Sequence, residues 1–253
     1  MPNIVLFLSY IGTAYHGWQF QQNALTIQEV LQDAIFKTTG QKVSLSGCGR
    51  TDAGVHARVY AANAPLETSI PVERLPLALN ARLPDDIAVR EARIVPDSFD
   101  SRFSCRRKEY TYTVYNSRLK DPFYTDRACF FPYKLDMDAV CRAARMFEGT
   151  HDFKSVQSAG SPVKSTVRTI YHCYVTRSGD LLELRVEGNG FLYNMVRAIT
   201  GTVLYAGLGK LAPEDIPVIL DSRNRSLSGP TLPPCGLRLS RLIYDEFTLE
   251  SPV

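Results

Sequence analysis

Apolar and polar residues alternate along this chain with two periods, and the changes of period mark out its elements. Residues 3–11 form a nearly continuous apolar, β-prone run, which predicts a buried first strand. Thr26-Ile27-Gln28-Glu29 has the form of a capping box, with Thr26 at the N-cap and Glu29 at N3. Behind it Ile27, Val30, Leu31, Ala34 and Ile35 recur at helical spacing, one apolar stripe that Gly40 ends. Short strands are predicted at 43–45 and 58–64, a short helix at 72–81 behind Pro71, and a strand at 87–95 after a Pro84-Asp85-Asp86 turn.

Residues 108–115 alternate again, with Tyr110, Tyr112 and Val114 on one face and Glu109, Thr111 and Thr113 on the other. Met137, Val140, Cys141, Ala144 and Phe147 make a second helical stripe, stopped at Gly149. Residues 153–170 are polar and carry Lys154, Lys164 and Arg168 without an acid, a loop suited to a phosphate backbone. Segments 171–177 and 181–187 read as a hairpin around Ser178-Gly179-Asp180. A long helix follows over 191–208, another over 213–220, and a closing strand over 236–244.

The basic run Arg106-Arg107-Lys108, with Arg102 just upstream, marks the joint between two halves, 1–103 and 104–253. Both halves alternate strands and helices in a similar way, without a repeat in the sequence and without a low-complexity linker. The architecture expected is α+β: two similar halves sharing one continuous sheet, mostly antiparallel or mixed, with helices packed on one face.

Composition narrows the setting. With 253 residues, 45% of them hydrophobic, the chain can bury a large core. A net charge of +3 permits a polyanionic partner without demanding one. There is no basic segment ahead of the first apolar run and no apolar run of membrane-spanning length, so a cytoplasmic protein with no membrane association is expected. The six cysteines (Cys48, Cys105, Cys129, Cys141, Cys173, Cys235) are dispersed without a Cys-x-x-Cys pair, which argues against a zinc ribbon or a disulfide framework. With only four histidines besides, no metal site is expected.

The chemistry concentrates in Gly47-Cys48-Gly49-Arg50-Thr51-Asp52-Ala53-Gly54-Val55-His56-Ala57. A carboxylate, a guanidinium, a hydroxyl and an imidazole stand between three glycines that allow positive φ or close backbone approach. Arg50 offers a planar fork to hold Asp52 ionised or to grip a phosphate. An earlier loop, residues 12–21, mixes glycines, aromatics and amides. It suits either stacking on bases or a satellite of the core. The hydrolase elbow, the phosphate loop and the His-Glu-x-x-His pair are all missing. Gly207-Leu208-Gly209-Lys210 follows a helix where a dinucleotide fingerprint would follow a strand. One loop carboxylate, a tyrosine-bearing strand and a helix arginine are the parts of a nucleobase enzyme. No cofactor is needed if the reaction only moves an existing bond. These parts do not by themselves separate an isomerase from a base-excising N-glycosylase, or either from a non-catalytic RNA-binding module.

The loop 47–57 resembles the signature loop of the tRNA pseudouridine synthase A family, and the resemblance extends over nearly the whole chain. Lys108-Glu109-Tyr110-Thr111-Tyr112 is similar to the family's Lys-x-Tyr-x-Tyr strand, and Phe191-Leu192-Tyr193-Asn194-Met195-Val196-Arg197 to its Phe-x-x-x-Met-Val-Arg helix. Gly236-Leu237-Arg238-Leu239 looks like the late Gly-Leu-x-Leu strand. The resemblance implies the pseudouridine synthase fold, with an active-site cleft between the halves. It implies Asp52 as the catalytic residue, Tyr110 as the active-site tyrosine and Arg197 as the arginine that pairs with the aspartate. Leu237 would pack under the target base, and Arg50 would anchor the loop or help extrude the base. The implied substrate is the tRNA anticodon stem-loop, uridines 38, 39 and 40, held by a homodimer without a cofactor. The chain departs from the family pattern at Ile11, where members carry Asp, and at Tyr193 and Asn194, where many carry histidines.

Overall fold

A computed structural model describes residues 1–160, 163–245 and 247–250; positions 161 and 162 of the polar segment 153–170 therefore lie outside the described residues. The described residues form eleven strands and five α-helices, an α+β architecture. They divide into two compact units, Met1–Arg106 together with the chain from Arg238 onward, and Arg107–Leu237.

In the first unit, strand β1 (Asn3–Tyr10) is buried along nearly its whole length. That burial explains its unbroken apolar run, because both faces are covered. It pairs antiparallel with β3 (His56–Pro65) on one side and β4 (Ile87–Val95) on the other. Strand β10 (Leu237–Ile243) runs parallel to β3, setting Arg238 opposite His56 and Leu239 opposite Ala57. Short β2 (Ser46–Gly47) adds to β3, and β11 (Thr248–Glu250) adds to β10.

Helix α1 (Ile27–Thr39) starts where Thr26 Oγ1 accepts from the Glu29 N–H and ends at Gly40 in left-handed backbone. Ile27, Leu31, Ala34 and Ile35 are buried as the stripe predicts, but Val30 is only half-buried and Gln28 takes a buried place. Gln28 tolerates burial because its amide oxygen and its amide nitrogen are both hydrogen-bonded. Its Oε1 accepts from Gln19 Nε2 (3.0 Å) and Phe20 N (2.9 Å), and its Nε2 donates to Leu45 O (3.0 Å). Gln32 likewise donates to Val43 O (2.9 Å). These two carbonyls are therefore taken by helix side chains. The strand predicted at 43–45 does not form, and pairing with β3 begins only at Ser46. The helix predicted at 72–81 is a 3-10 turn, Val72–Arg74, followed by α2 (Leu75–Asn80). Pro76 has no N–H for Val72 O, so the first turn tightens.

Asp100 closes the turn that follows β4. Its carboxylate accepts from the Arg102 and Phe103 N–H groups (2.8 and 2.9 Å) and from Ser46 Oγ (2.8 Å). Burial pushes its pKa up, but the Phe103, Ser46 and Arg102 hydrogen bonds together outweigh burial and hold the carboxyl below its ordinary range. A folded-state pKa below the unfolded one gives stability that is present above the unfolded value, about 4, and lost as pH falls through the folded value. Asp100→Asn should lower stability by about 1 kcal/mol at neutral pH after allowance for solvent screening. Denaturant titrations at stepwise lower pH should show the difference from the parent shrinking below about pH 4. A pH-independent difference would contradict this account.

The second unit carries the antiparallel series β5 (Arg107–Tyr115), β9 (Leu181–Gly188), β8 (Val167–Ser178) and β7 (Gly149–Asp152), with β6 (Cys129–Phe130) parallel to β5. The segment 153–170 is thus not one loop. It opens with a 3-10 turn, Phe153–Val156, and closes in β8. Helix α3 (Met137–Arg145) is capped by Asp136, and α5 (Ile216–Ser222) follows a 3-10 turn at Pro213–Asp215. The long helix predicted from 191 begins only at Met195, as α4 (Met195–Gly207), because Asn194 sits in left-handed backbone (φ 59). Helix α4 is buried nearly all round, as a core helix is. No helix among the described residues is long and apolar enough to cross a membrane.

Candidate active site

The Asp52 loop belongs to the first unit and is held by its own backbone. The Asp52 carbonyl accepts from Val55 N (3.1 Å), closing a tight turn, and Gly54 adopts φ 77 within it. Asp52 itself is half-buried, with Thr51 buried beside it. Thr51 shares a hydrogen bond with the Tyr10 hydroxyl at the end of β1 (2.8 Å). His56, at the start of β3, accepts the Gly12 N–H on Nδ1 (3.0 Å), which leaves the ring proton on Nε2.

A second segment, residues 12–18, lies against this turn. Trp18 N donates to Thr51 O (3.1 Å), and Gly54 N donates to Tyr15 O (3.2 Å). Gly17 (φ 86) approaches so closely that a Cβ there would stand 2.4 Å from Thr51 O and 3.2 Å from the Asp52 carbonyl carbon. Trp18 is 2% exposed, and its ring lies 4.2 Å from that of Tyr60. The Tyr60 hydroxyl donates to Gly49 O (2.5 Å). The Tyr15 hydroxyl donates to Asp86 Oδ1 (2.6 Å); burial first, then this carboxylate, drives its pKa well above the usual phenol range. The aromatic loop at 12–21 is thus divided. Tyr15 and Trp18 are core residues bracing the carboxylate loop, whereas Phe20 and His16 stay exposed. Tyr15 and Trp18 thus take the core alternative read for their loop, whereas Tyr10 and Tyr60 are supports of the turn that sequence reasoning missed.

Arg50 extends into solvent with no ion pair or hydrogen bond among the described residues, so it does not hold Asp52.

The other site residues named from sequence lie in the second unit. Tyr110, on β5 opposite Val186, is 8% exposed, and its ring meets Phe191 edge-on at 5.0 Å. Tyr112, two residues on, is fully buried and donates to Pro233 O (2.7 Å), a structural role. Leu237 is 6% exposed and opens β10 directly after a 3-10 turn, Pro234–Gly236. Arg197 is half-buried on the first turn of α4. Its guanidinium donates to Asn194 Oδ1 (2.6 Å) and, through Nε, to Leu232 O (2.5 Å). Asn194 in turn donates to Ser158 Oγ (3.0 Å). Asn194, to which sequence reasoning attached no role, thus both starts the helix and aims the arginine.

The first unit thus presents one carboxylate on a braced turn, and the second carries a near-buried tyrosine and an aimed arginine. Comparison with known proteins shows the family. The family described as tRNA pseudouridine synthase matches residues 7–104 and 143–245. Proteins named tRNA pseudouridine synthase A are 46% identical in Thermoanaerobacter sp. and Caldicellulosiruptor bescii and 41% identical in Clostridium acetobutylicum. Each comparison runs over 244 residues, 96% of this chain and 100% of the relative. A solved structure of an H/ACA RNP bound to a substrate RNA containing 2'-deoxyuridine is similar at 15% identity and a TM-score of 0.44, over 94% of this chain and 47% of that one. The chain belongs to the tRNA pseudouridine synthase family.

Proposed function

We propose that this enzyme converts uridines 38, 39 and 40 of the tRNA anticodon stem-loop to pseudouridine, without a cofactor, in the cytoplasm and as a homodimer that holds the tRNA. The observation that carries the activity is the braced Arg50-Thr51-Asp52 turn within a chain matched over 96% of its length by relatives named for that activity. The choice of uridines and the dimer rest on the family resemblance.

Asp52 acts at the ribose of the target nucleotide. The N1–C1' bond breaks, the uracil turns, a C5–C1' bond forms, C5 gives up its proton and N1 takes one. Nothing is oxidised or reduced, which is why no cofactor is required. Tyr110 stacks on the extruded base and assists proton removal at C5. Arg197 is the cation for the Asp52 carboxylate, Leu237 lines the base pocket, and Arg50, exposed and uncommitted, engages the RNA as the base leaves the stack.

Tritium release from tRNA labelled at uridine C5 tests this directly, because the new bond cannot form without expelling that hydrogen. The expected result is release without free uracil, from tRNA and not from DNA of the same stem-loop sequence. Free uracil with an abasic site would make the enzyme a glycosylase. Binding of tRNA with neither product would make it an RNA-binding module.

A further inference from the structure

We infer that Arg225, which no motif singles out, is a positioning residue for Arg197. The inference rests on the assignment of Arg197 to the Asp52 carboxylate made above. Arg225 lies in a 3-10 turn, Arg225–Leu227, beyond α5. Its NH1 donates to Ser228 Oγ (2.9 Å) and Gly229 O (2.8 Å), and its NH2 to Thr231 Oγ1 (2.8 Å). All these partners are neutral, and no carboxylate among the described residues pairs with it. Burial lowers its pKa somewhat. An arginine half-withdrawn from water with only neutral acceptors is poorly explained as a surface charge. It is well explained as the pin of a folded segment, since its planar fork reaches three acceptors at once.

The pinned segment is clamped to α4. Gly229 N donates to Thr202 Oγ1 (2.9 Å), and Ser228 Oγ donates to Ser155 O (2.6 Å). The backbones touch where α4 carries Gly201: a Cβ there would fall 1.9 Å from Pro230 O. The segment then emerges at Leu232, whose N–H donates to Arg197 O (3.4 Å) and whose carbonyl accepts Arg197 Nε. Three residues fold onto Arg225, the next presents its carbonyl to Arg197, and the helix turn between them is fixed by the same clamp. With Nε held by Leu232 and NH1 by Asn194, the planar guanidinium of Arg197 is fixed in orientation.

A double-mutant cycle tests the link. Arg225→Ala should lower kcat for tritium release about 10- to 100-fold, the size of loss that a small misplacement at a reacting centre causes, with tRNA affinity changed no more than about twofold. Arg197→Ala should lower kcat at least as far. In the Arg197→Ala background the Arg225 change should add almost nothing, because its effect runs through the missing side chain. Additive losses would overturn the positioning role while leaving Arg197 in place. Full activity of Arg197→Ala would overturn the assignment of Arg197 itself, and the inference with it. A loss confined to tRNA affinity would make Arg225 an RNA contact instead. Arg225→Lys repeats the cycle if the alanine variant does not fold. It keeps the charge but not the three-way fork, so it should show the same non-additivity at smaller amplitude, and additivity there would equally overturn the inference.

Discussion

Asp52→Asn should abolish tritium release from C5-labelled tRNA, with kcat falling by a factor on the order of 10⁴ or more, as when the reacting group itself is removed. The substitution is nearly isosteric, and the features that build the turn survive it. The Asp52 carbonyl still accepts from Val55 N, Thr51 still meets Tyr10, and Gly17 still fits against the backbone of residues 51–53. The melting transition should therefore stay close to that of the parent. Affinity for tRNA should change only a few-fold, because phosphate contacts dominate it. An amide has neither the charge nor the basicity of a carboxylate, so whether Asp52 first attacks the ribose or removes a proton from it, the step fails. A folded Asp52→Asn protein that binds tRNA and still releases tritium would remove Asp52 from the chemistry and send the search for the carboxylate elsewhere.

Much of the frame was legible because its residues are periodic. Strand β4 has the limits that its apolar pattern predicts, α1 begins and ends on its caps, and the β8–β9 hairpin turns at Gly179 and Asp180. The failures share a cause: the deciding partner is distant in sequence. Val43 and Leu45 look β-prone, yet side chains from α1 claim their carbonyls. Strand β7 is polar and short, and only its register with β8 makes it a strand. In the candidate site, Asp52, Tyr110, Arg197 and Leu237 stand out as residue types in recognisable strings, but what holds two of them does not. The contact between Gly17 and Thr51 spans two loops without periodicity. The contact of Arg197 with Leu232 is made by a backbone carbonyl, which any residue at 232 would supply. The side chains that do chemistry are visible in a sequence as types, whereas the backbone that aims them is visible only in three dimensions.

That difference makes Gly17 a place where a single methyl group should do structural harm beside the candidate carboxylate. At φ 86 an L-residue carries a penalty of about 1–2 kcal/mol. Alanine adds a Cβ 2.4 Å from Thr51 O, a backbone atom that cannot rotate away. Relief requires the two segments to part by roughly 1 Å, which strains the Trp18–Thr51 and Gly54–Tyr15 hydrogen bonds and loosens the Trp18 ring on Tyr60. Gly17→Ala should therefore cost about 3–4 kcal/mol in denaturant unfolding. Gly40→Ala supplies the comparison, since Gly40 has a similar φ of 75 but open space where the Cβ would go, and it should cost only about 1 kcal/mol. The excess in Gly17→Ala is the part that acts on the turn, and it should reappear as chemistry. Measured on folded protein at low temperature, kcat should fall about 100-fold while tRNA affinity holds, because the displaced atoms adjoin the Asp52 carbonyl. Equal costs at the two glycines would mean the cradle yields without resistance. A large stability cost with unaltered kcat would mean that Asp52 finds its working position without the brace.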